Sequence, residues 1–274
     1  MPTPVFIRAK HMPHQIAFPM YSLHRPDSEA FIQTLRSLLA KRGLTAEPCW
    51  PTSNLIDHWR SDDLLLSQTC GFPLMTQLPD LQLVGGFHYA APGCDGTHYR
   101  SFIVARREEL PQQFADFRGR RVVCNSADSQ SGYNVLLKMI TPLAADGAFF
   151  SHVLFSGSHR QSLIALKKRA ADIAAIDCVT WALIKRHQPA LLDGLVIIDQ
   201  SPLAPGLPLV TSPLTSPQTL SLLRDALHEL VSDAAHQAVC AAHGIDGFSE
   251  VRREAYRVLL DWRDDAIRRG VTRL

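Results

Sequence analysis

The sequence has almost no excess of charge of either sign, and it contains no run of basic residues. Its 28 Lys and Arg residues are balanced by 26 Asp and Glu residues, which leaves a formal net charge of +2. Nucleic-acid binding normally requires a basic surface with interleaved aromatic residues, so the composition excludes this class of partner. Every apolar stretch also falls short of the roughly 20 residues that a membrane-spanning helix needs. Membrane insertion is therefore not expected.

Closely spaced cysteines are absent as well. The six cysteines are spread along the chain and form no C-x-x-C pair, and Cys124 and Cys178 lie in apolar, strand-like runs. Such residues are typical of buried free thiols in a reducing compartment. His11 and His14 are close in sequence, but no acidic or cysteine cluster accompanies them. We therefore expect neither a metal nor another cofactor.

The N-terminus has no evident export signal. The first ten residues contain no apolar signal core followed by a small-residue cleavage site, as a secretory signal would. We therefore expect a cytoplasmic protein, or a periplasmic one if the sequence is a trimmed mature form. The chain of 274 residues is long enough for one large or two medium domains,.

One stretch, 126–133, has the composition of an oxyanion-binding loop. It follows an apolar run at 121–124 and precedes a helical pattern at 134–140. The first N–H groups of a helix have no internal partner and carry partial positive charge, which favours bound anions. Ser129 and Ser131 add hydroxyl donors, and Gly132 allows close approach of the backbone. A simple N-cap in an ordinary strand–helix loop is the alternative interpretation.

The same pattern recurs further along the chain. An apolar strand at 153–155 is followed by Ser156-Gly157-Ser158-His159, and then by an amphipathic helix at 161–166. Two helix N-termini that follow neighbouring parallel strands point into one crevice. His159 is then a candidate ligand contact, although a single histidine can equally well be structural.

Strands and helices alternate over most of the chain. This alternation predicts an α/β protein with mainly parallel sheets. Two helices, at about 216–242 and 249–269, are predicted to close the chain. The other predicted strands are 14–18, 45–50, 63–69, 81–87, 99–105, 171–177 and 195–198, and the other predicted helices are 26–42, 55–60 and 179–186.

The order of these elements predicts two lobes. Residues 107–200 have their own strands and helices and form an inserted second lobe, while 1–106 and 201–274 together form the first. The runs near 99–106 and 198–210 are the predicted crossing segments. A cleft between two such lobes is a common ligand site, and hinged closure is its common motion.

Four motifs together resemble a known family. They are Ser129-Gln130-Ser131-Gly132-Tyr133, then Gly157-Ser158-His159, then the run 171–177, and finally the proline-rich passage 201–208. In this order and spacing they are similar to the phosphonate, phosphite and phosphate substrate-binding proteins of ABC transporters. The resemblance implies the type II periplasmic-binding-protein fold, with a mainly parallel sheet in each lobe and a ligand cleft between them.

The resemblance also implies a set of ligand contacts. The serine loop matches the one that holds the phosphonate oxygens, with Gln130 where the family often has Thr, and His159 matches the histidine that contacts the anion. Tyr99 and Tyr21 match two cleft tyrosines, and Gln68 and Thr69 end a first-lobe strand that faces the cleft. The implied ligand-binding residues are Tyr21, Gln68, Thr69, Tyr99, Ser129, Gln130, Ser131, Gly132, Tyr133, Ser158, His159 and Asp177.

The sequence departs from the family where aminoalkyl phosphonates are bound. Val179 and Leu207 stand at the positions where binders of these ligands hold the ammonium group with acidic residues. An unpaired charge in a closed cleft is costly, so we expect a ligand without an amine unless Asp177 takes that role. Asp177 can equally well be the N-cap of the following helix.

The leading functional prediction is non-catalytic binding of a small oxyanion, because neutral donors dominate the site. The expected partners are this anion and an ABC transporter permease or a regulatory protein. An enzyme on the same scaffold, with Cys70, His159 and Asp177 as nucleophile, base and orienting residue, is the alternative. The third possibility is a ligand sensor whose closed, ligand-bound state is recognised by a protein partner.

Overall fold

The structure, a computed structural model, describes residues 14–52, 54–143 and 148–274. His11 lies outside the described residues. Within these ranges, no helix combines the length and the apolar character that crossing a membrane requires.

The elements follow the predicted alternation closely up to about residue 200. The strands are β1 (Gln15–Ala17), β2 (Glu47–Pro48), β3 (Leu64–Gln68), β4 (Gln82–Tyr89), β5 (His98–Tyr99), β6 (Ser101–Arg106), β7 (Arg121–Cys124), β8 (His152–Phe155), β9 (Ile173–Asp177), β10 (Leu195–Gln200), β11 (Ala204–Pro205), β12 (Pro208–Thr211) and β13 (Ile245–Ser249). The helices are α1 (Arg25–Ala40), α2 (Leu55–Trp59), α3 (Gly71–Thr76), α4 (Val135–Ile140), α5 (His159–Lys167), α6 (Cys178–His187), α7 (Pro217–Ser232), α8 (Gln237–Ala242) and α9 (Arg257–Arg268).

The strands form two main sheets. The first has six strands in the order β13-β4-β12-β3-β1-β2, and the second has five in the order β10-β6-β9-β7-β8. The second sheet is built largely from strands that lie between the two crossing segments in the chain. β7 pairs in parallel with β8 and β9, so the ends of these three strands, at Cys124, Phe155 and Asp177, lie at one edge of the sheet.

Most strands of each sheet run in the same direction, as predicted. In the first sheet β12 and β13 run against the other four strands, and in the second sheet β6 runs against the other four. β6 and β12 are the strands that the chain forms as it passes between the sheets, and each enters its sheet in the reverse direction. Hydrophobic periodicity carries no information on strand direction, so it did not identify these reversed strands.

The two passages between the sheets lie side by side. β5 pairs antiparallel with β11, with Tyr99 opposite Ala204, and the passage predicted only as proline-rich thus contains the strands β11 and β12. β6 already belongs to the second sheet, so sheet membership changes near residue 100 rather than at the predicted boundary of 106. The lobe ranges 1–106 with 201–274, and 107–200, otherwise stay a prediction.

The C-terminal region differs most from the prediction. The helix predicted over 216–242 is interrupted after Ser232, where the Asp233 side chain accepts a hydrogen bond from the Ala235 N–H and starts a new turn. Gly244, at φ +69°, then ends α8. The unpredicted strand β13 follows and forms the edge of the first sheet, and α9 begins only at Arg257.

Candidate functional site

A cavity of about 530 Å³ lies between the two sheets. First-sheet connections supply Tyr21, Trp59 and Cys70, while the edge of the second sheet supplies the two serine-rich loops. The lining residues are Pro19, Met20, Tyr21, Ser22, Leu23, Asn54, Leu55, Ile56, Trp59, Cys70, Pro73, Asn125, Ser126, Asp128, Ser129, Ser131, Gly157, Ser158, His159, Arg160, Thr180 and Leu207.

The first serine loop begins a helix at the cavity wall. Ser129 is its N-cap, and the Ser129 hydroxyl accepts a hydrogen bond of 3.0 Å from the Gly132 N–H. The chain then makes a π-helical turn over Gln130–Asn134 that continues directly into α4. Within the described residues, the Ser131 N–H donates to no protein acceptor. It is therefore available to an anion.

The second serine loop begins α5 in the same way. Ser158 is the N-cap, and its hydroxyl accepts a hydrogen bond of 3.2 Å from the Gln161 N–H. The N–H groups of His159 and Arg160 have no acceptor in the described part of the protein. Arg160 also brings a positive charge to the rim, where its Nε donates to Gln188 Oε1 at 2.8 Å.

The two helix starts meet at Ser131 and His159. The Ser131 hydroxyl and the His159 Nε2 are 2.8 Å apart, and both residues line the cavity. This contact confirms the predicted convergence of the two loops on one crevice. It also brings N–H groups and hydroxyls from two helix N-termini within reach of one small ligand.

His159 is neutral at physiological pH. Burial lowers its pKa to about 4, and the nearby Ala175 carbonyl offsets part of this fall. Its Nδ1 is buried without a hydrogen bond of normal geometry. The ring therefore supplies no full positive charge, and its Nε2 is engaged by the Ser131 hydroxyl,. The backbone N–H of His159 is the donor that stays available to an oxyanion.

Asp177 is an N-cap, which is one of the two roles that the sequence left open to it, and it is not among the residues that line the cavity. Its Oδ1 accepts hydrogen bonds from the N–H groups of Val179 and Thr180 at 2.8 and 2.9 Å, which makes it the N-cap of α6. Its Oδ2 accepts a hydrogen bond of 2.7 Å from the Tyr21 hydroxyl, which comes from the other side of the cavity. Burial raises the pKa of Asp177 to about 6, although these hydrogen bonds oppose the rise.

Three predicted contacts lie beside the cavity but do not line it. The Gln68 side-chain amide donates to the Tyr89 hydroxyl at 2.9 Å. The hydroxyls of Thr69 and Tyr99 are buried and have no hydrogen-bond partner. The Ser131 side chain lies near the Tyr99 hydroxyl, but the two groups do not have the geometry of a hydrogen bond. Burial, followed by the proximity of Cys70, raises the pKa of Tyr99.

Three further residues of the first loop turn away from the cavity. The Gln130 side chain accepts a hydrogen bond of 2.7 Å from Asn134 in the interior, and the Tyr133 ring stacks on Phe155. Gly132 is required by packing, since a Cβ there would lie 1.8 Å from Asn125 Oδ1. Gln130 and Tyr133 are thus not among the residues that line the cavity, and their ligand contacts stay a prediction.

Several lining residues were not predicted from the sequence, and four of them carry polar groups of interest. Asn125 and Thr180 follow the ends of β7 and β9, so the strand-end rule that located the serine loops could have found them. The indole Nε1 of Trp59 is a buried donor without a partner, and Arg160 is the second residue of α5. No sequence signal distinguished Trp59 from a core aromatic residue.

The residues proposed for catalysis do not form a catalytic arrangement. Burial raises the pKa of the Cys70 thiol to about 11, so the nucleophilic thiolate is scarce at neutral pH,. The Cys70 sulfur instead accepts a weak hydrogen bond from the Gln130 N–H. His159 pairs with Ser131, and Asp177 is already occupied by three donors.

Metal-ligating side chains come close together at two places within the described ranges, neither of them in the cavity. His24, Asp27 and His187 form one group, in which the two imidazole rings stack 4.4 Å apart. The other group is exposed and consists of Glu229, Asp233 and His236. The sequence analysis missed the first because α1 and α6 are far apart in the chain.

Solved structures with the same fold are numerous. A binding-protein component of an ABC phosphonate transporter from Pseudomonas aeruginosa is 18% identical, with a TM-score of 0.75 over 94% of this chain and 88% of that one. PhnD1 from Prochlorococcus marinus in complex with methylphosphonate is 13% identical, with a TM-score of 0.75 over 92% and 97%. XAC2383 from Xanthomonas citri bound to ATP is 14% identical, with a TM-score of 0.71 over 94% and 98%.

These likenesses confirm the two-lobe type II periplasmic-binding-protein fold. No curated protein matches the sequence. The family described as ABC transporter, phosphonate, periplasmic substrate-binding protein matches residues 83–256, well over half of the chain. The matched range contains both serine loops, His159 and Asp177. The chain therefore belongs to the family of periplasmic substrate-binding proteins of phosphonate ABC transporters.

Proposed function

We propose that this protein binds a small phosphonate, phosphite or phosphate-type oxyanion in the cavity between its lobes, without catalysing a reaction. The observation that carries the proposal is the contact between Ser131 and His159, which joins two helix N-termini at one cavity wall. The family supports the same ligand class, since phosphonate is the substrate in its description.

The donors around this contact are suited to a phosphonate group. The N–H groups of Ser131, His159 and Arg160 are free to donate, and the Ser129 and Ser158 hydroxyls accept from the backbone and keep their own protons. Up to three ligand oxygens can thus be satisfied from two sides. Neutral donors together with two helix dipoles stabilise an anion without a full countercharge.

The ligand we propose has no amine. Leu207, which stands at one of the two family positions for ammonium recognition, lines the cavity and is apolar, and Val179 at the other is buried. The oxygens of Asp177 already accept hydrogen bonds from Tyr21 and the start of α6. At these positions an ammonium group would find no free counter-charge. The carboxylate of Asp128, which also lines the cavity, already accepts hydrogen bonds from the Ser126 hydroxyl and the Gln77 amide.

The cellular role that we propose is delivery of this anion to an ABC transporter permease. A ligand-sensing role, in which the closed state is recognised by a regulatory protein, uses the same cavity and the same closure. Either role requires binding and release of an unaltered ligand, so phosphorus NMR should find methylphosphonate chemically unchanged after long incubation with the protein. Conversion to a product would overturn the non-catalytic assignment.

Isothermal titration calorimetry tests the binding directly. The ligand set is methylphosphonate, phosphite, phosphate, methanesulfonate, 2-aminoethylphosphonate and ATP. We expect binding of at least one of the first three, and weaker binding of 2-aminoethylphosphonate. Ser158→Ala removes a hydroxyl whose proton is free to donate and should weaken affinity roughly 10- to 100-fold, since a hydrogen bond to a charged group contributes about 1.5–3 kcal/mol.

The matched control is Ser232→Ala. Ser232 lies at the end of α7, where its hydroxyl bonds only the His228 carbonyl, and this substitution should leave affinity unchanged. If none of the phosphorus oxyanions gives a heat of binding in the calorimeter, the proposal is overturned. An equal loss of affinity in both serine variants would show that the effect does not come from the cavity.

A further inference from the structure

Two thiols that are distant in sequence are in contact between the lobes. The sulfur atoms of Cys94 and Cys178 lie 3.5 Å apart, although 84 positions separate the residues in the chain. Cys94 belongs to the loop between β4 of the first sheet and β5, whereas Cys178 begins α6 directly after β9 of the second. The contact therefore joins the two halves of the fold.

The backbone holds both residues in place. The Cys94 N–H donates to the Ala91 carbonyl at 3.0 Å, and the Cys178 N–H donates to the Arg100 carbonyl at 3.1 Å. The main chain at Gly93 packs so closely that a Cβ there would lie 3.1 Å from the Cβ of Cys178. A disulfide needs sulfur atoms about 2.05 Å apart, so the two sulfur atoms must approach each other by roughly 1.5 Å.

The two thiols differ in their access to solvent. Cys94 is partly exposed and borders a surface depression of about 430 Å³, formed by the segment 88–96 together with Asp246. Cys178 is fully buried. A small oxidant dissolved in water thus reaches Cys94 first.

We propose that Cys94 and Cys178 are a site of reversible disulfide formation that covalently links the two lobes. With oxidised glutathione as the oxidant, the Cys94 thiolate attacks one sulfur and expels one glutathione thiolate. The Cys178 thiolate then attacks the Cys94 sulfur of this mixed disulfide and expels the second glutathione. Two protein thiols are oxidised and one external disulfide is reduced to two thiols, while the two protons released by the cysteines pass through solvent to the glutathione thiolates.

The second step is the slow one. The hydrogen bond between the two thiols, together with burial, raises the pKa of Cys178, so its thiolate is scarce at neutral pH. Closure of the disulfide should therefore accelerate as the pH rises. Because Cys178 directly follows Asp177 in the chain, the new bond would lie one residue from the site that contacts Tyr21.

Thiol counting tests the proposal on the full-length protein. After removal of dithiothreitol and incubation with oxidised glutathione, the denatured protein should have at most four titratable thiols instead of its six, since a mixed disulfide at the partly exposed Cys49 removes one more. Peptide mass mapping should find Cys94 joined to Cys178, and dithiothreitol should restore all thiols. Six remaining thiols, or a cross-link between other cysteines, would overturn the proposal.

Two serine variants identify the residues involved. Cys178→Ser should stop at the mixed disulfide on Cys94 and form no internal cross-link. Cys49→Ser is the matched control, since Cys49 is also partly exposed, and it should cross-link like the unmodified chain. Cross-linking in Cys178→Ser, or its loss in Cys49→Ser, would contradict the assignment.

The cross-link should also raise the melting temperature of the protein. The oxidised protein should melt roughly 5–10 °C above its dithiothreitol-treated form, because the bond restricts a long loop in the unfolded chain. Cys178→Ser should show no such difference, and equal melting temperatures for the two forms of the unmodified chain would contradict a tether between the lobes. These measurements need no bound anion, so their failure and the failure of the proposed binding function are distinguishable.

Discussion

The Tyr21 hydroxyl donates a hydrogen bond of 2.7 Å to Asp177 Oδ2, and this buried contact joins the two sides of the cleft. Tyr21 follows the first strand of one sheet, whereas Asp177 ends a strand of the other. Burial raises the pKa of both groups. Because both are shielded from water, neither could replace the lost hydrogen bond with one to solvent. We therefore interpret this hydrogen bond, which we call the latch, as a contact that holds the two sides of the cleft together.

Removal of the latch should loosen the protein. Tyr21→Phe keeps the ring but deprives Asp177 of one donor, and an unsatisfied buried acceptor costs about 1–3 kcal/mol. Urea unfolding should show that the free energy of unfolding falls by this amount. Stopped-flow experiments should show faster release of the bound anion. Tyr133→Phe, outside the cavity, is the control and should not alter release. Unchanged stability and release in Tyr21→Phe would contradict the latch.

Asp177 and His159 should give opposite pH dependences of stability. The folded-state pKa of Asp177 is raised to about 6, above the unfolded value of about 3.9. Between these values the folded protein binds more protons than the unfolded chain, so this carboxyl makes the free energy of unfolding rise on acidification. The full effect is about 3 kcal/mol.

His159 acts in the other direction. Its folded-state pKa is lowered to about 4, below the unfolded value of about 6.5. Acidification through this window protonates the unfolded chain first and lowers the free energy of unfolding, again by about 3 kcal/mol. The two contributions largely cancel in the unmodified protein.

Two variants should separate these contributions. Asp177→Asn keeps an N-cap side chain and should lose stability between pH 6.5 and pH 4 relative to the unmodified chain. His159→Gln should gain stability over the same window. Urea unfolding at both pH values is the measurement, and slopes of the same sign for the two variants would contradict the account.

A buried ion-pair cluster should stabilise the second lobe. Asp172 accepts from the Arg106 Nη2 at 3.1 Å and from the Arg121 Nη2 and Nε at 2.8 and 3.0 Å. Because the Arg121 side chain is 43% exposed, solvent screens part of the interaction, and the loss of the Asp172 charge should cost about 1–3 kcal/mol. Asp172→Asn should lower the free energy of unfolding in urea by this amount. Asp193→Asn, at an exposed position, is the control and should leave it unchanged. Equal effects at the two positions would show that the cluster adds nothing.

Gly132 should be intolerant of any side chain for a defined steric reason. A methyl group at this position would occupy the space of Asn125 Oδ1. Gly132→Ala should therefore distort the first serine loop and weaken anion binding in calorimetry. The double variant Gly132→Ala with Asn125→Ala removes the obstructing amide and should recover much of the lost stability. Additive losses in the double variant would rule out this clash as the cause.

Much of the site could be predicted because it depends on local rules. Small hydroxyl residues between an apolar strand and a helix indicate a helix N-terminus, and adjacent parallel strands place their ends at one edge. These rules located Ser129, Ser131, Ser158 and His159. The Asp177 cap followed from its position before a helix.

The remaining features depend on contacts between distant parts of the chain. The antiparallel direction of β6 and β12 follows from how the chain passes between the sheets, and no residue pattern encodes it. Gln130 and Tyr133 lie in a π-helical turn, a rare conformation that no pattern in the sequence indicates. The contact between Cys94 and Cys178 depends on the packing of a loop on a helix.

The most direct test of the central claim is a crystal structure of the protein with methylphosphonate. The account predicts one phosphonate group between the two helix starts, with its oxygens about 3 Å from the backbone nitrogens of Ser131 and His159. A phosphonate bound elsewhere, or a cleft that stays without ligand at saturating concentration, would contradict it.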